Sequence, residues 1–266
     1  MNTKIAANNM ITQQLRTGNV LDESILDLYR SIPREDFVPS DFHDFAYSDM
    51  QIPLANKQIM LTPLEEATIL QNLNLTGNEI ILEIGTGTGF FTAMLSRLAK
   101  KVISIEYFEE FTKNAKILLD KHKCNNVELI TTDGARGYVE KAPYDVIIIS
   151  GAIKNVSNIQ RLQLLSGGKL VAIIGESPIM QVKIYHLNNN RLLSKLAAES
   201  EVRGDEARRT AVYTSAQEDS STESTKQFTS AVEFRKKSND TWTEKLLFET
   251  NIPPLIDKLN KKQFIF

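Results

Sequence analysis

ILEIGTGTGF, residues Ile81–Phe90, sets an apolar run directly against three glycines spaced two apart, with aromatic and apolar residues resuming at once. A short apolar run that ends in glycines and gives way to a helical pattern reads as a strand, a tight turn and a helix. Glycine lets the backbone turn sharply, and it lets a ligand lie directly on the main chain.

The same alternation extends on both sides. Glu79–Ile84 reads as a strand, Phe91–Ala99 as a helix, Lys101–Glu106 as a strand and Phe108–His122 as a longer helix. Strands follow at Val127–Thr132 and Tyr144–Ser150, then a short helix at Ile159–Leu165, a turn at Gly167-Gly168 and a strand at Lys169–Gly175. Val146–Ile149 is apolar throughout, as a strand covered on both faces requires. Strand–helix–strand repetition of this kind predicts a doubly wound, mostly parallel sheet with helices on both faces. Val182–Leu187 and Thr241–Phe248 are strand-like and are expected to end the sheet as an antiparallel pair, which makes seven strands.

Upstream, residues 1–31 carry apolar residues at three- and four-residue steps, and Asp22 is placed to cap the second helical segment. Pro33 and Pro39 bracket Arg34–Val38, read as extended, and residues 44–62 show no period and read as a loop. Pro63 suits the first turn of a helix running to about Leu73. The expected division is an N-terminal helical extension over 1–62 and a ligand-binding α/β domain over 63–266. Residues 195–237 are rich in Ser, Thr, Glu, Arg and Lys without sustained apolar period, so they read as a disordered insertion at a hairpin tip. Their wording, EVRGDEARRTAVYTSAQEDSSTEST, resembles peptides encoded by mobile palindromic repeats; the rival reading is a functional lid or docking arm.

Composition narrows the function classes. The 266 residues are 42% apolar with a formal net charge of −2, which gives no electrostatic reason to expect nucleic acid or an anionic membrane as partner. No apolar stretch approaches the ~20 residues of a membrane span, and the N-terminal segment lacks the pattern of a secretory signal. The single cysteine, Cys124, excludes an intrachain disulfide and fits a cytoplasmic location. No metal-ligand spacing is visible, and His43, His122 and His186 are scattered.

In an open α/β sheet ligands bind at the carboxyl ends of the strands. Three such ends carry suitable chemistry. Gly85, Thr86, Gly87 and Gly89 form the first. Glu106 ends the next strand, where a carboxylate can accept from both ribose hydroxyls of an adenosine ligand. Asp133-Gly134 follows the third, where an acid can accept from the adenine amine. A dinucleotide fingerprint, G-x-G-x-x-G, would place its last glycine at Phe90. The observed G-x-G-x-G spacing instead favours S-adenosylmethionine, and with it a methyltransferase.

Beyond these motifs the chain resembles the protein-L-isoaspartate O-methyltransferase family. The resemblance is carried by Met10–Pro39, including Arg16, Asp22 and IPREDFVP at Ile32–Pro39, and by AYSDMQIP at Ala46–Pro53. LEIGTGTGF, SIE, Asp133-Gly134, APYDVIII and the Gly167-Gly168 turn before LVAIIGE continue it at similar spacings. It covers about 1–187 and resumes near Asn239. It implies a class I, Rossmann-like methyltransferase fold and S-adenosylmethionine as cofactor. It further implies methyl transfer to the carboxyl of isoaspartyl, and less well D-aspartyl, residues in damaged proteins. The family pattern Q-T-I-S-Q-P is here Gln58-Ile59-Met60-Leu61-Thr62-Pro63, so Leu61 stands where the resemblance implies an active-site serine. Thr62, next to it, is the candidate catalytic hydroxyl; its alternative role is a helix N-cap before Pro63. Another acceptor, or a cofactor-binding protein without turnover, are the rival readings.

Overall fold

The computed structural model describes residues 3–188 and 242–256. Six α-helices are found among them: α1 (Thr3–Met10), α2 (Glu23–Ser31), α3 (Pro63–Leu73), α4 (Phe90–Leu98), α5 (Glu109–Lys121) and α6 (Asn158–Leu162). The strands are β1 (Ile52–Pro53), β2 (Ile59–Met60), β3 (Ile80–Ile84), β4 (Lys101–Glu106), β5 (Val127–Thr131), β6 (Tyr144–Ile153), β7 (Leu164–Glu176), β8 (Ile179–Leu187) and β9 (Trp242–Thr250). β1 and β2 form a small hairpin; the other seven make one sheet in the order β5-β4-β3-β6-β7-β8-β9. β3 through β7 pair in parallel, and β8 and β9 close the sheet antiparallel. The expected doubly wound, seven-stranded sheet is the one observed. The chain winds outward from β3 through β4 to β5, then returns to β6 on the other side of β3. The switch point, where such sheets bind ligands, lies between β3 and β6.

Alternation along the strands builds two cores. Ile81, Val102, Val146, Ile148, Val171 and Ile173 face one layer, which contains α3, α4, α5 and the N-terminal segment. Leu82, Ile84, Ile103, Ile105, Ile147 and Ile149 face the other, covered by Ala142, Tyr144 and Leu164. Met10, Ile11, Leu15, Leu26 and Tyr29 are all buried in the first layer with the sheet residues, so the N-terminal stretch shares the sheet's core.

Local signals held where a side chain could act alone. Asp22 caps α2, its carboxylate accepting from the Ser24 N–H at 2.9 Å. Pro63 opens α3, which ends at Leu73 before a left-handed Asn74. Three readings change. Arg34–Phe37 is a 3-10 turn rather than an extended segment. That turn eclipses positions i and i+3, so Arg34 and Phe37 are both buried, Phe37 edge-on to Phe90 at 5.5 Å. Residues 44–62 are not merely a loop. A 3-10 segment, Ser40–Phe45, is followed by the β1–β2 hairpin, whose turn places Asn56 and Lys57 at positive φ. Gly167-Gly168 lies within β7, where the pairing with β6 slips between Tyr144↔Leu164 and Val146↔Lys169. A Cβ at Gly168 would stand 2.8 Å from the Leu165 carbonyl oxygen, so a bulge, not a turn, requires glycine there. The segment 195–237 lies outside the described residues.

Candidate active site

The glycine turn leaves β3 with Gly85, Gly87 and Gly89 all at positive φ (101°, 54° and 86°). Gly85 donates to the Ile105 carbonyl at 2.8 Å, which fixes the loop to the tip of β4. Glu106 completes the fixture. One carboxylate oxygen accepts from the Gly87 N–H and the other from the Phe108 N–H, each at 2.9 Å. The neighbouring strand β6 bulges between Ile149 and Ala152, which places Ser150 and Gly151 at the same rim.

These tips enclose a cleft at the switch point of the sheet, where ligands of open α/β sheets bind. Gly85, Gly87, Glu106, Gly134, Ser150 and Gly151 line it, with Tyr107, Phe108 and Phe111 on the β4 side. The residues present fit S-adenosylmethionine. A Cβ built at Gly87 would meet only Leu54, at 3.9 Å, so the missing side chain leaves open space over the loop. At Gly134 the demand is different: a Cβ there would stand 2.7 Å from Ile84 and 3.1 Å from Ile105, so glycine keeps the cleft floor apolar and flat. The Glu106 carboxylate, 6% exposed, is the acceptor that a pair of ribose hydroxyls needs.

Not every residue singled out from the sequence reaches this cleft. Asp133 is not among the lining residues, and one of its carboxylate oxygens accepts from the Ala135 N–H at 2.9 Å. Gly89 is buried as the left-handed residue before α4, where a Cβ would meet Ala115 of α5 at 3.0 Å; its place is helix packing. Thr86 turns beneath the loop, its hydroxyl 2.6 Å from Ser104. Thr62 is the N-cap of α3. Its hydroxyl accepts from the Glu65 N–H at 3.1 Å, and Glu65 accepts from the Thr62 N–H at 2.9 Å. The Thr62 hydroxyl thus takes the alternative role of helix cap, and Thr62 lines neither the cleft nor the hollow beside it. Thr62→Ala should lower stability by about 1 kcal/mol in urea unfolding while leaving cofactor affinity within twofold. A large loss of affinity would return the residue to the site.

Several site residues escaped the sequence reading. The C-terminal segment crosses the tip of β6. Leu255 donates to the Ala152 carbonyl at 2.8 Å, and Ile252, Pro253 and Leu255 line the cleft. Leu54, Gln58 and Ile59, from the hairpin, form the facing wall. Two buried acids stand under the loop. Glu83 takes hydrogen bonds on one oxygen from Thr92 (2.6 Å) and Ser104 (2.7 Å), and its other oxygen has no partner among the described residues. Burial pushes its pKa up to about 7, against the two hydroxyl donors. Glu66 of α3 pairs with Arg34, yet burial outweighs that charge and pushes it up to about 7 as well. His122 instead stacks on Phe37 at 5.0 Å and meets Asp36, and no histidine lines the cleft among the described residues.

Comparison with known proteins points to one family. A sequence model of the family "Protein-L-isoaspartate(D-aspartate) O-methyltransferase (PCMT)" matches residues 5–202. The chain is similar to protein-L-isoaspartate O-methyltransferase 2 of Pelobacter propionicus, 36% identical over 65% of this chain and 76% of the relative. It is 33% identical to the Koribacter versatilis protein-L-isoaspartate O-methyltransferase over 69% of this chain and 82% of the relative. Among solved structures, a Plasmodium falciparum protein-L-isoaspartate O-methyltransferase in complex with S-adenosyl-L-homocysteine shares the fold. It superposes with a TM-score of 0.58 at 15% identity, over 72% of this chain and 91% of that one. With three quarters of its length matched in this way, the chain belongs to the protein-L-isoaspartate(D-aspartate) O-methyltransferase family.

Proposed function

We propose that this protein transfers a methyl group from S-adenosylmethionine to the carboxylate of isoaspartyl residues in damaged proteins. The observation that carries the reading is the meeting of Gly85, Gly87, Glu106 and Gly134 around one cleft at the switch point of the sheet. Glu106 would accept from the ribose, Gly134 would floor the adenine, and the glycine loop would seat the amino-acid part. Asp133, which already accepts from the Ala135 N–H, would accept from the adenine amine as well. The cofactor, when bound, supplies an electrophilic methyl on a positively charged sulfur.

What the chain must add is position. A carboxyl acceptor with an ordinary pKa near ~4 is already anionic at neutral pH, so no residue need take its proton. This accords with a cleft whose lining, among the described residues, holds no histidine or lysine. Leu54, Ile59, Ile252, Pro253 and Leu255 exclude water on the acceptor side, and alignment of the acceptor oxygen with the methyl can account for up to about 7–11 kcal/mol of the barrier. Among the described residues no helix is long and apolar enough to cross a membrane. A cytoplasmic location belongs to the proposal and is supported by the one cysteine, buried and unpaired.

Labelled methyl transfer to an isoaspartyl peptide, and not to its aspartyl counterpart, is the expected result. Transfer to neither, with the cofactor bound, would overturn the isoaspartyl acceptor. A second reading rests on Leu61, which is buried at 8% exposure and lines the hollow beside the glycine loop without a hydroxyl to offer. Under that reading the acceptor is another protein side chain or a small molecule. Leu61→Ser should raise isoaspartyl turnover if only the missing donor limits it. An unchanged rate, with binding intact, would favour the other acceptor.

A further inference from the structure

The main cleft continues past the glycine loop into a second hollow. The two share Leu54, Ile59, Gly85, Gly87 and Ser150. A ligand with its adenosine between Glu106 and Gly134 that extends over Gly85 and Gly87 therefore enters this hollow with its far end. Met60, Leu61 and Phe91 make the walls apolar, and one charged side chain, Glu66, stands among the lining residues.

Glu66 is an unusual residue to find there. It is 2% exposed, and Arg34 binds one of its oxygens and also donates to the Leu61 carbonyl at 2.5 Å. The guanidinium is itself packed over the Phe90 ring at 4.7 Å. The pair thus holds the carboxylate on α3 against the loop. Around that loop stand three carboxylates, Glu66, Glu83 and Glu106, and among the residues that bond them only Arg34 carries a cation. The second oxygen of Glu83 is buried without a partner among the described residues. Buried carboxylates in excess of cations favour a positively charged ligand group.

Resting on the cofactor assignment above, we propose that Glu66, positioned by Arg34, is the counter-ion of the α-ammonium group of S-adenosylmethionine. That group is the cation at the far end of a ligand whose other end is adenosine.

The test is a calorimetric titration of the full chain with S-adenosylhomocysteine, S-adenosylmethionine and 5′-methylthioadenosine, which lacks the amino-acid end. Glu66→Gln should weaken the first two by about 10- to 100-fold, the range for a hydrogen bond to a charged group, and change the third less than twofold. The double variant Arg34→Leu/Glu66→Leu removes both charges without leaving one stranded, and it should show the same selective loss. Equal losses for all three ligands would reduce Glu66 to a structural role. A loss confined to S-adenosylmethionine would place it at the sulfonium, and no loss would overturn the proposal outright. If the wild-type chain binds none of the three, the cofactor assignment itself fails.

Discussion

Arg34→Met should destabilise the fold by about 3–5 kcal/mol at pH 8, the range for stranding one member of a buried ion pair. Arg34 is 1% exposed and joins three parts of the chain: Glu66 on α3, the Leu61 carbonyl and the Phe90 ring on α4. Methionine fills a similar volume and returns none of these bonds. The loss should depend on pH, and its sign follows from Glu66. The folded-state pKa of Glu66 is raised from 4.5 to about 7, so between those values the folded protein binds more protons than the unfolded one. The contribution of this group to stability is therefore full below about pH 4.5 and is lost as pH rises to about 7. Glu83, raised to about 7 by the same burial, adds a slope of the same sign. His186 opposes it: its pKa is lowered, chiefly by burial, so its stabilising contribution is present above 6.5 and lost as pH falls. In Arg34→Met the opposing guanidinium is gone and the Glu66 carboxyl rises further. Chemical unfolding at several pH values should then show the gap between wild type and variant widening from pH 7 to pH 9. A gap independent of pH would mean that Glu66 is protonated in both proteins or stays ionised in both.

The sheet was legible because its strands are short, apolar and separated by helices of the right period. β4 and α3 have the bounds that the sequence reading gave them, and the parallel pairing follows from the alternation. The loop side of the site was legible for the same reason: Gly85–Gly89 and Glu106 announce themselves by residue type at a strand end. What remained hidden depends on distant pairing. Nothing near Ile252 says that it will cross the tip of β6, far back in the chain, and Gly151 reveals its reason only through Leu255, whose Cα a Cβ there would meet at 2.9 Å. Arg34–Phe37 misled because flanking prolines favour extended backbone locally, whereas the tertiary demand to bury Arg34 and Phe37 together selects a 3-10 turn. Thr62 had two readings that local sequence could not separate, a hydroxyl at the site or a cap, and Glu65 three residues later decided for the cap.

Glu106→Ala should weaken S-adenosylhomocysteine binding by about 2–3 kcal/mol, roughly 30- to 150-fold. Two effects would contribute, and they can be told apart. The carboxylate holds the Gly87 and Phe108 N–H groups, so its removal frees the glycine loop and the entry to α5. It also lines the cleft, and an ionised carboxylate has about four acceptor sites, two of which remain after those backbone bonds. If the remaining sites receive the ribose hydroxyls, wild type should prefer adenosine over 2′,3′-dideoxyadenosine, and the alanine variant should lose that preference. If Glu106 acts only by shaping the loop, both nucleosides should weaken by the same factor and the preference should survive in the variant. The comparison is a double-mutant cycle with one mutation in the ligand, so general loosening of the loop cancels from the coupling energy. A coupling near zero would remove Glu106 from the ribose and leave it as a brace for the loop.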